Sequence, residues 1–303
     1  MNQYDIIIIG AGPGGLTAGI YASRQGTKTL IIDKDHAGGL GLEVPQMENY
    51  PGFNNISGPE LIEKMKTQIG NCDLHEMETV EKIIKTDAEY KFIVKTNKDE
   101  YKSKTIILAT GSTHRHLNVE GEEEFKGKGV SYCATCDGFF FSGRDVVIVG
   151  GGNSALQEAI YLKNLGANVT LIHRREEFRA QKHLQEQIKK EGIKTILNSN
   201  VEQIKGDMLV NSVLLKNNTT NEITELPTNG VFISIGYMPH NELAKQLNID
   251  LDESGHIIVD KDQKTSIDYA YAIGDVCIGL KQWVVACGEG AVAATSAFRD
   301  IQK

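Results

Sequence analysis

Cys133-Ala134-Thr135-Cys136-Asp137 is the segment whose residue types most directly promise chemistry. Two cysteines separated by two residues can form a readily exchanged disulfide, and a helix starting beside them stabilises the thiolate. A carboxylic acid immediately after the second cysteine is placed to give or take the proton that thiol exchange moves. Zinc would need about four ligands. Cys72, Cys277 and Cys287 stand alone, and no second Cys-x-x-Cys or His-x-x-His pair completes a set, so no metal is expected. Five cysteines are an odd count without the spacing of a secreted framework, which argues against a purely structural bridge. Redox chemistry is the leading reading of the pair.

Glycines carry the second kind of chemistry. Gly10-Ala11-Gly12-Pro13-Gly14-Gly15 ends an apolar run, Asp5 to Ile9, and precedes Leu16 to Gln25, whose spacing suits a packed helix. In such a turn the first glycine permits the bend, the second lets backbone approach a pyrophosphate, and the third lets helix and strand pack closely. The helix N-terminus supplies the anion site. A second strand, Thr29 to Ile32, ends at Asp33, 23 residues after Gly10, near the spacing at which an acid meets ribose hydroxyls.

The unit recurs 140 residues later. Val146 to Val149 leads into Gly150-Gly151-Gly152-Asn153-Ser154-Ala155, and the next strand ends at His173, again 23 residues after the first glycine. Here no acid stands at the end, but His173-Arg174-Arg175, with Arg179 further on. Guanidinium groups form paired bonds to phosphate oxygens, so this end fits a 2′-phosphate better than a bare hydroxyl. The first site therefore reads as FAD- or NAD-like and the second as NADP-like.

The elements between them say how these sites are held. Val80 to Lys104 alternates imperfectly and suggests an antiparallel meander on the first domain; Thr105 to Gly111, Gly230 to Gly236 and Tyr269 to Gly274 read as buried strands closed by glycine. Gly288 to Arg299 reads as a terminal helix. Around Ser112 to Asn118 and Tyr237 to Glu242 the chain leaves and re-enters the first unit. The expected class is α/β, with two Rossmann-like domains of three ββα layers: 1–112 with 243–303, and an inserted 113–242.

Composition sets the outer bounds. The 303 residues are 40% hydrophobic and 24% charged with 31 glycines, as in a soluble globular protein of one large domain or two. A net charge of −8 without a basic stripe argues against nucleic acid or an anionic membrane as partner. No apolar run approaches the ~20 residues of a membrane span, and Met1 to Asp5 shows no charged leader. A cytoplasmic location is expected.

Taken together, Gly10 to Gly15, Glu48-Asn49-Tyr50-Pro51-Gly52, Ala109-Thr110-Gly111, the Cys133 to Gly138 segment, Gly150 to Ala155, His173-Arg174-Arg175 with Phe178-Arg179-Ala180, and Gly274-Asp275 resemble the low-molecular-weight thioredoxin reductases. The match runs through nearly the whole chain in order. The resemblance implies an FAD domain built from both chain ends, an inserted NADPH domain carrying the cysteines, a homodimer, and a thioredoxin or thioredoxin-like protein as substrate. It implies a swing of the small domain between hydride transfer from NADPH to flavin and reduction of the Cys133–Cys136 disulfide. Cys136 would lie nearer the flavin and Asp137 would serve as the acid. For FAD it points to Gly10, Gly12, Pro13, Gly14, Gly15, Asp33, Lys34, Gly39, Leu40, Asn49, Ala109, Thr110, Gly111, Gly274, Asp275, Lys281, Gln282 and Trp283. For NADPH it points to Gly150, Gly152, Asn153, Ser154, His173, Arg174, Arg175 and Arg179. Three residues depart from the family pattern: Leu40 where glutamine is usual, Lys281 where arginine is usual, and Trp283, the only tryptophan, whose adjacency to Gln282 suggests a ring near the flavin. A relative taking electrons from ferredoxin or a deazaflavin, or running in reverse as a dithiol oxidase, would not need the basic cluster.

Overall fold

In the computed structural model, which describes every residue except Met1, Pro45, Gln46 and Glu48, the isoleucines of β1 (Asn2–Ile9) divide between two cores. Ile6 and Ile8 join one cluster with Leu16, Ala18 and Ala22 of α1 (Pro13–Arg24); Ile7 and Ile9 join another. That alternation is the pleat of a strand covered on both faces. Each fully buried isoleucine or leucine among them contributes roughly 1.5–3 kcal/mol.

β1 lies between β2 (Thr29–Ile32) and β6 (Glu100–Leu108), parallel to both. After α2 (Gly58–Lys66), which Ser57 caps by accepting from the Glu60 amide, β3 (Asp73–His75) extends the edge beyond β2. β4 (Val80–Lys85) and β5 (Phe92–Thr96) form the expected antiparallel meander. On the edge away from β1, β6 serves two partners. Its first half pairs antiparallel with β5 and its second half parallel with the chain's late strand, so meander and buried strand are one continuous element.

β7 (Ser112–His114) takes the chain into the second unit. There β8 (Val130–Ser131) precedes α3 (Ala134–Asp137), and β9 (Asp145–Gly150) enters the second glycine turn. α4 (Asn153–Asn164), β10 (Asn168–Ile172), α5 (Lys182–Lys190) and β11 (Lys194–Ile196) follow. An antiparallel sheet of β12 (Ser199–Gly206), β13 (Val210–Asn217) and β14 (Ile223–Pro227) covers one face. β15 (Gly230–Ser234) completes a parallel sheet of order β11-β10-β9-β15-β8. Again the layers are helix, parallel sheet and antiparallel sheet, around two clusters. β16 (Tyr237–Pro239) pairs with β7 as the chain returns, and α6 (Glu242–Gln246), β17 (Ala270–Ala272) and α7 (Trp283–Ile301) complete the first unit.

The two compact units are Met1–Thr113 with Met238–Lys303, and His114–Tyr237. Residues 238–242, expected with the insertion, pack instead with the outer unit. The His240 amide donates to the Gly111 carbonyl (3.0 Å), and Thr110 Oγ1 donates to the His240 carbonyl (2.7 Å). The last helix begins at Trp283 rather than Gly288.

Candidate functional site

The first glycine turn is built by close approach. Gly10 has φ +105°, and a Cβ there would strike the Ala109 carbonyl; one on Gly15 would strike the Gly10 carbonyl. Gly12 is different, because a Cβ there would meet nothing within 4 Å. The turn is therefore locked on the protein side and open on the other, at the N-terminus of α1, where Gly12 caps the helix and Pro13 needs no hydrogen bond. Gly39 lies beside Gly12, with Leu40 half-buried next to it, and the Gly38 amide donates to the Ala11 carbonyl (2.8 Å). Gly14 faces Ala286 of α7.

Asp33 ends β2 with its carboxylate turned into the turn. It accepts from the amides of Ala11 (2.6 Å) and Asp35 (2.9 Å). Burial pushes its carboxyl up, with both amides opposing. A carboxylate offers about four lone-pair sites, so two remain for a ribose. Lys34, next in sequence, is exposed.

Other segments implied by the resemblance meet in the same unit. Asn49 Nδ2 donates to Gln282 Oε1 (3.1 Å) across 233 residues of sequence, and Gln282 caps α7. Glu48 lies outside the described residues. The Gly274 amide donates to Glu289 Oε2 (2.6 Å). Asp275 and Glu289 are both pushed up by burial, while burial pulls Lys281 down. Lys281 Nζ donates to the carbonyls of Asp275 (2.9 Å) and Cys277. Lys281 thus braces the Gly274–Cys277 turn from within. Trp283 lies against Gly41 and meets Tyr50 edge-on at 6.4 Å. Thr110 and His240 clasp one another, His240 Nδ1 lying 2.9 Å from the Thr110 carbonyl.

The second turn repeats the scheme with one correction. His173 does not stand with the arginines: it is 6% exposed, lies over Gly151, and stacks on Phe178 at 5.4 Å. Burial lowers its pKa, and its Nε2 is enclosed without a partner. A neutral ring fits that place and a charge would not. Arg174, Arg175 and Arg179 are exposed. The amides of Arg179 (2.9 Å) and Ala180 (3.2 Å) donate to the Gly151 carbonyl, and Asn153 Oδ1 accepts from the Gln181 amide (2.9 Å). The arginine segment is thereby pinned beside the glycine turn, whose Gly152 is open and whose Ser154 is exposed.

In the same unit, Cys133 and Cys136 form a disulfide of 2.08 Å. Cys133 caps α3, with Sγ accepting from the Cys136 amide (3.2 Å) and lying 3.4 Å from Thr135 Oγ1. Ser131 ties the acid to the pair: its hydroxyl donates to Asp137 Oδ2 (2.6 Å) and accepts from the Cys133 amide (3.1 Å). Burial pushes the Asp137 carboxyl up, with Ser131 opposing.

Sequence reasoning missed several neighbours. Phe139 is 67% and Phe140 48% exposed, beside the cysteines. Their signal was the run of three phenylalanines, of which only Phe141 enters the core, edge-on to Phe232 at 5.2 Å. Glu158 on α4, pushed up to about 7 by burial, had no motif to mark it. Ser131 likewise had none.

The chain is similar to known proteins along its whole length. A family profile described as pyridine nucleotide-disulphide oxidoreductase matches residues 4–290. The chain is 42% identical over 311 residues to a thioredoxin reductase of Peptoclostridium acidaminophilum, covering 99% of this chain and 98% of that one. It is 41% identical to one of Listeria innocua, over 99% and 94% of the two chains. Among solved structures, thioredoxin reductase from Streptococcus pyogenes superposes with a TM-score of 0.89 at 40% identity, covering 99% and 98%. That from Giardia duodenalis gives 0.92 at 34%, covering both chains fully (100%).

Proposed function

Because the chain belongs to the pyridine nucleotide-disulphide oxidoreductases, we propose that it is an NADPH-dependent thioredoxin reductase that uses FAD. The observation that carries this reading is the Cys133–Cys136 disulfide with Asp137 hydrogen-bonded beside it, in the same unit as an arginine-flanked dinucleotide turn.

FAD bound at the first turn supplies a two-electron relay between NADPH and the disulfide. The protein's own groups do the rest. Gly12 and the α1 amides would receive the FAD pyrophosphate, Asp33 would offer two acceptor sites to its ribose, and Arg174, Arg175 and Arg179 would receive the 2′-phosphate of NADPH. Two electrons and two protons open Cys133–Cys136 to a dithiol. Cys133, whose sulfur already receives the Cys136 amide, attacks as thiolate on the partner's disulfide. A mixed disulfide forms and one partner sulfur leaves. Cys136 then attacks Cys133, re-forming the internal bridge and releasing the second partner sulfur. Asp137 holds the proton these departing thiolates take up. The balance is NADPH, a proton and a protein disulfide giving NADP⁺ and a dithiol.

A protein substrate, thioredoxin by similarity to the relatives' names, fits the exposed Phe139 and Phe140. The cysteines and the NADPH turn share one unit while the FAD turn lies in the other, so the reaction proceeds in two stages with a turn about the crossings. Gly111 (φ +68°) and Gly236 (φ +101°) flank those crossings. A homodimer in a reducing cytoplasm, where Cys72, Cys277 and Cys287 remain thiols, completes the reading.

The test is anaerobic titration of the purified yellow protein with NADPH and with NADH. NADPH should bleach the flavin band, and thioredoxin should then be reduced. Cys133→Ser and Cys136→Ser should keep the bleaching and lose disulfide reduction. Turnover retained in both variants would overturn the reading, and no bleaching with either nucleotide would pass the donor's role to a ferredoxin or deazaflavin.

A further inference from the structure

Tyr132 joins β8 to Cys133, and its buried side chain is fixed from several directions. Its ring stacks on His114, with centroids 4.9 Å and planes 27° apart, and meets His116 edge-on at 5.3 Å. The hydroxyl donates to Glu122 Oε1 (2.7 Å), and His116 Nδ1 lies 2.9 Å from it. Glu122 is itself held, because it is buried and its carboxylate accepts the amides of Leu117 (3.0 Å) and Asn118 (2.7 Å).

His114 and Tyr237 are the residues at which the inserted unit begins and ends. They stand on β7 and β16, the paired strands by which the chain enters and leaves, and beside them the Arg115 amide donates to the Gly236 carbonyl (3.0 Å). The His114 ring lies 4.7 Å from that of Tyr237. Three rings therefore run in series from both crossings to the residue before Cys133. The sheet sets up this meeting: β8 and β15 are parallel with Ser131 opposite Phe232, so the strand that delivers the cysteines and the strand that leads to Tyr237 end on the same side. Stacked and edge-on rings have preferred geometries, so a shift of one is felt by the next.

Core packing alone could be met by an apolar side chain at 132 and would need no ring at 114. We propose that Tyr132 is a positioning residue for the disulfide half of the reaction: through His114 it fixes the Cys133–Cys136 turn against the crossings, so that the swing of the unit and the presentation of the disulfide are one motion. This rests on the two-stage reading above. Without the stack the cysteines still travel with their unit but arrive in a spread of orientations, and reduction of the S–S bond slows. Hydride transfer from NADPH does not involve them and keeps its rate.

The test is single-turnover stopped flow on the anaerobic holoenzyme, mixing one equivalent of NADPH with oxidised protein in the presence of excess oxidised thioredoxin. The flavin band should bleach and then recover, the recovery reporting passage of electrons through Cys133–Cys136. Tyr132→Ala and His114→Ala should each slow the recovery roughly 10–100-fold. Bleaching at the wild-type rate in the same variants shows an intact fold. His114→Phe, which keeps a ring between the two tyrosines, should restore the recovery. The double alanine variant should be no slower than the slower single one, because the rings act as a unit. Unchanged recovery in the alanine variants, multiplied effects in the double one, equal slowing of bleaching and recovery, or no rescue by His114→Phe would overturn the role of Tyr132. Wild-type protein that fails to bleach, or bleaches without recovering, would instead overturn the two-stage reading beneath it.

Discussion

Cys133 and Asp137 owe their suitability to one hydroxyl between them. Ser131 donates to the Asp137 carboxylate and accepts from the Cys133 amide, so the acid is held against the disulfide while burial keeps its proton affinity high. General acid–base groups of this kind contribute about 10²–10⁴-fold. Asp137→Asn should therefore slow thioredoxin reduction at least ~100-fold, while stopped-flow bleaching of the flavin by NADPH keeps its wild-type rate. Equal slowing of both steps would show that Asp137 acts on the whole fold instead. The sequence placed this acid next to the cysteines; it was silent on Ser131, because a serine five residues before Cys136 carries no signal of its own. His173 shows the opposite failure. Its place beside two arginines reads as charge, yet its ring fills the space over Gly151, where a proton would be costly.

At the scale of elements, α1 and α7 meet backbone to backbone. A Cβ on Gly290 would strike the Gly14 carbonyl, and Gly14 in turn faces Ala286. The contact seats the glycine turn against the helix that carries Gln282 and, through it, Asn49. Gly288, two residues earlier, has nothing within 4 Å of a would-be Cβ. The two glycines of one helix should thus respond in opposite senses. Gly290→Val forces the helices apart and should lower stability by at least about 3 kcal/mol with loss of bound flavin. Gly288→Ala should raise it by about 0.5–1 kcal/mol. Chemical denaturation and the flavin absorbance of the purified variants check both. Sequence periodicity started this helix five residues late, at Gly288, because Trp283, Val284 and Val285 are weak helix formers. Their packing overrides that preference: the ring of Trp283 lies against Gly41 and Tyr50.

At the scale of the whole molecule, an uninterrupted stretch, His114–Tyr237, forms a unit with its own two cores. The surrounding unit needs both chain ends, since β17 pairs with β6 and α7 packs on α1. Expressed alone, residues 114–237 should fold cooperatively, bind 2′,5′-ADP in calorimetry, form the Cys133–Cys136 disulfide and remain colourless. A fragment that stays unfolded by circular dichroism would show that its cores depend on the outer unit. The order of motifs made the insertion legible, but the point of re-entry lies at Met238 rather than Leu243, because His240 is clasped by Thr110 and Gly111.

The sequence by itself determined the two dinucleotide turns, the α/β class and the redox pair, because each depends on residue types at fixed short spacing, where backbone geometry leaves few alternatives. It also carried the family resemblance through which Asn49 and Gln282 were singled out. Only the tertiary structure decided that those two residues touch, that His173 is buried while the arginines remain exposed, and that two of three phenylalanines face solvent. These facts turn on which side chains the fold brings together or shuts away from water, and desolvation and long-range contact are set by packing across the chain rather than by neighbours along it.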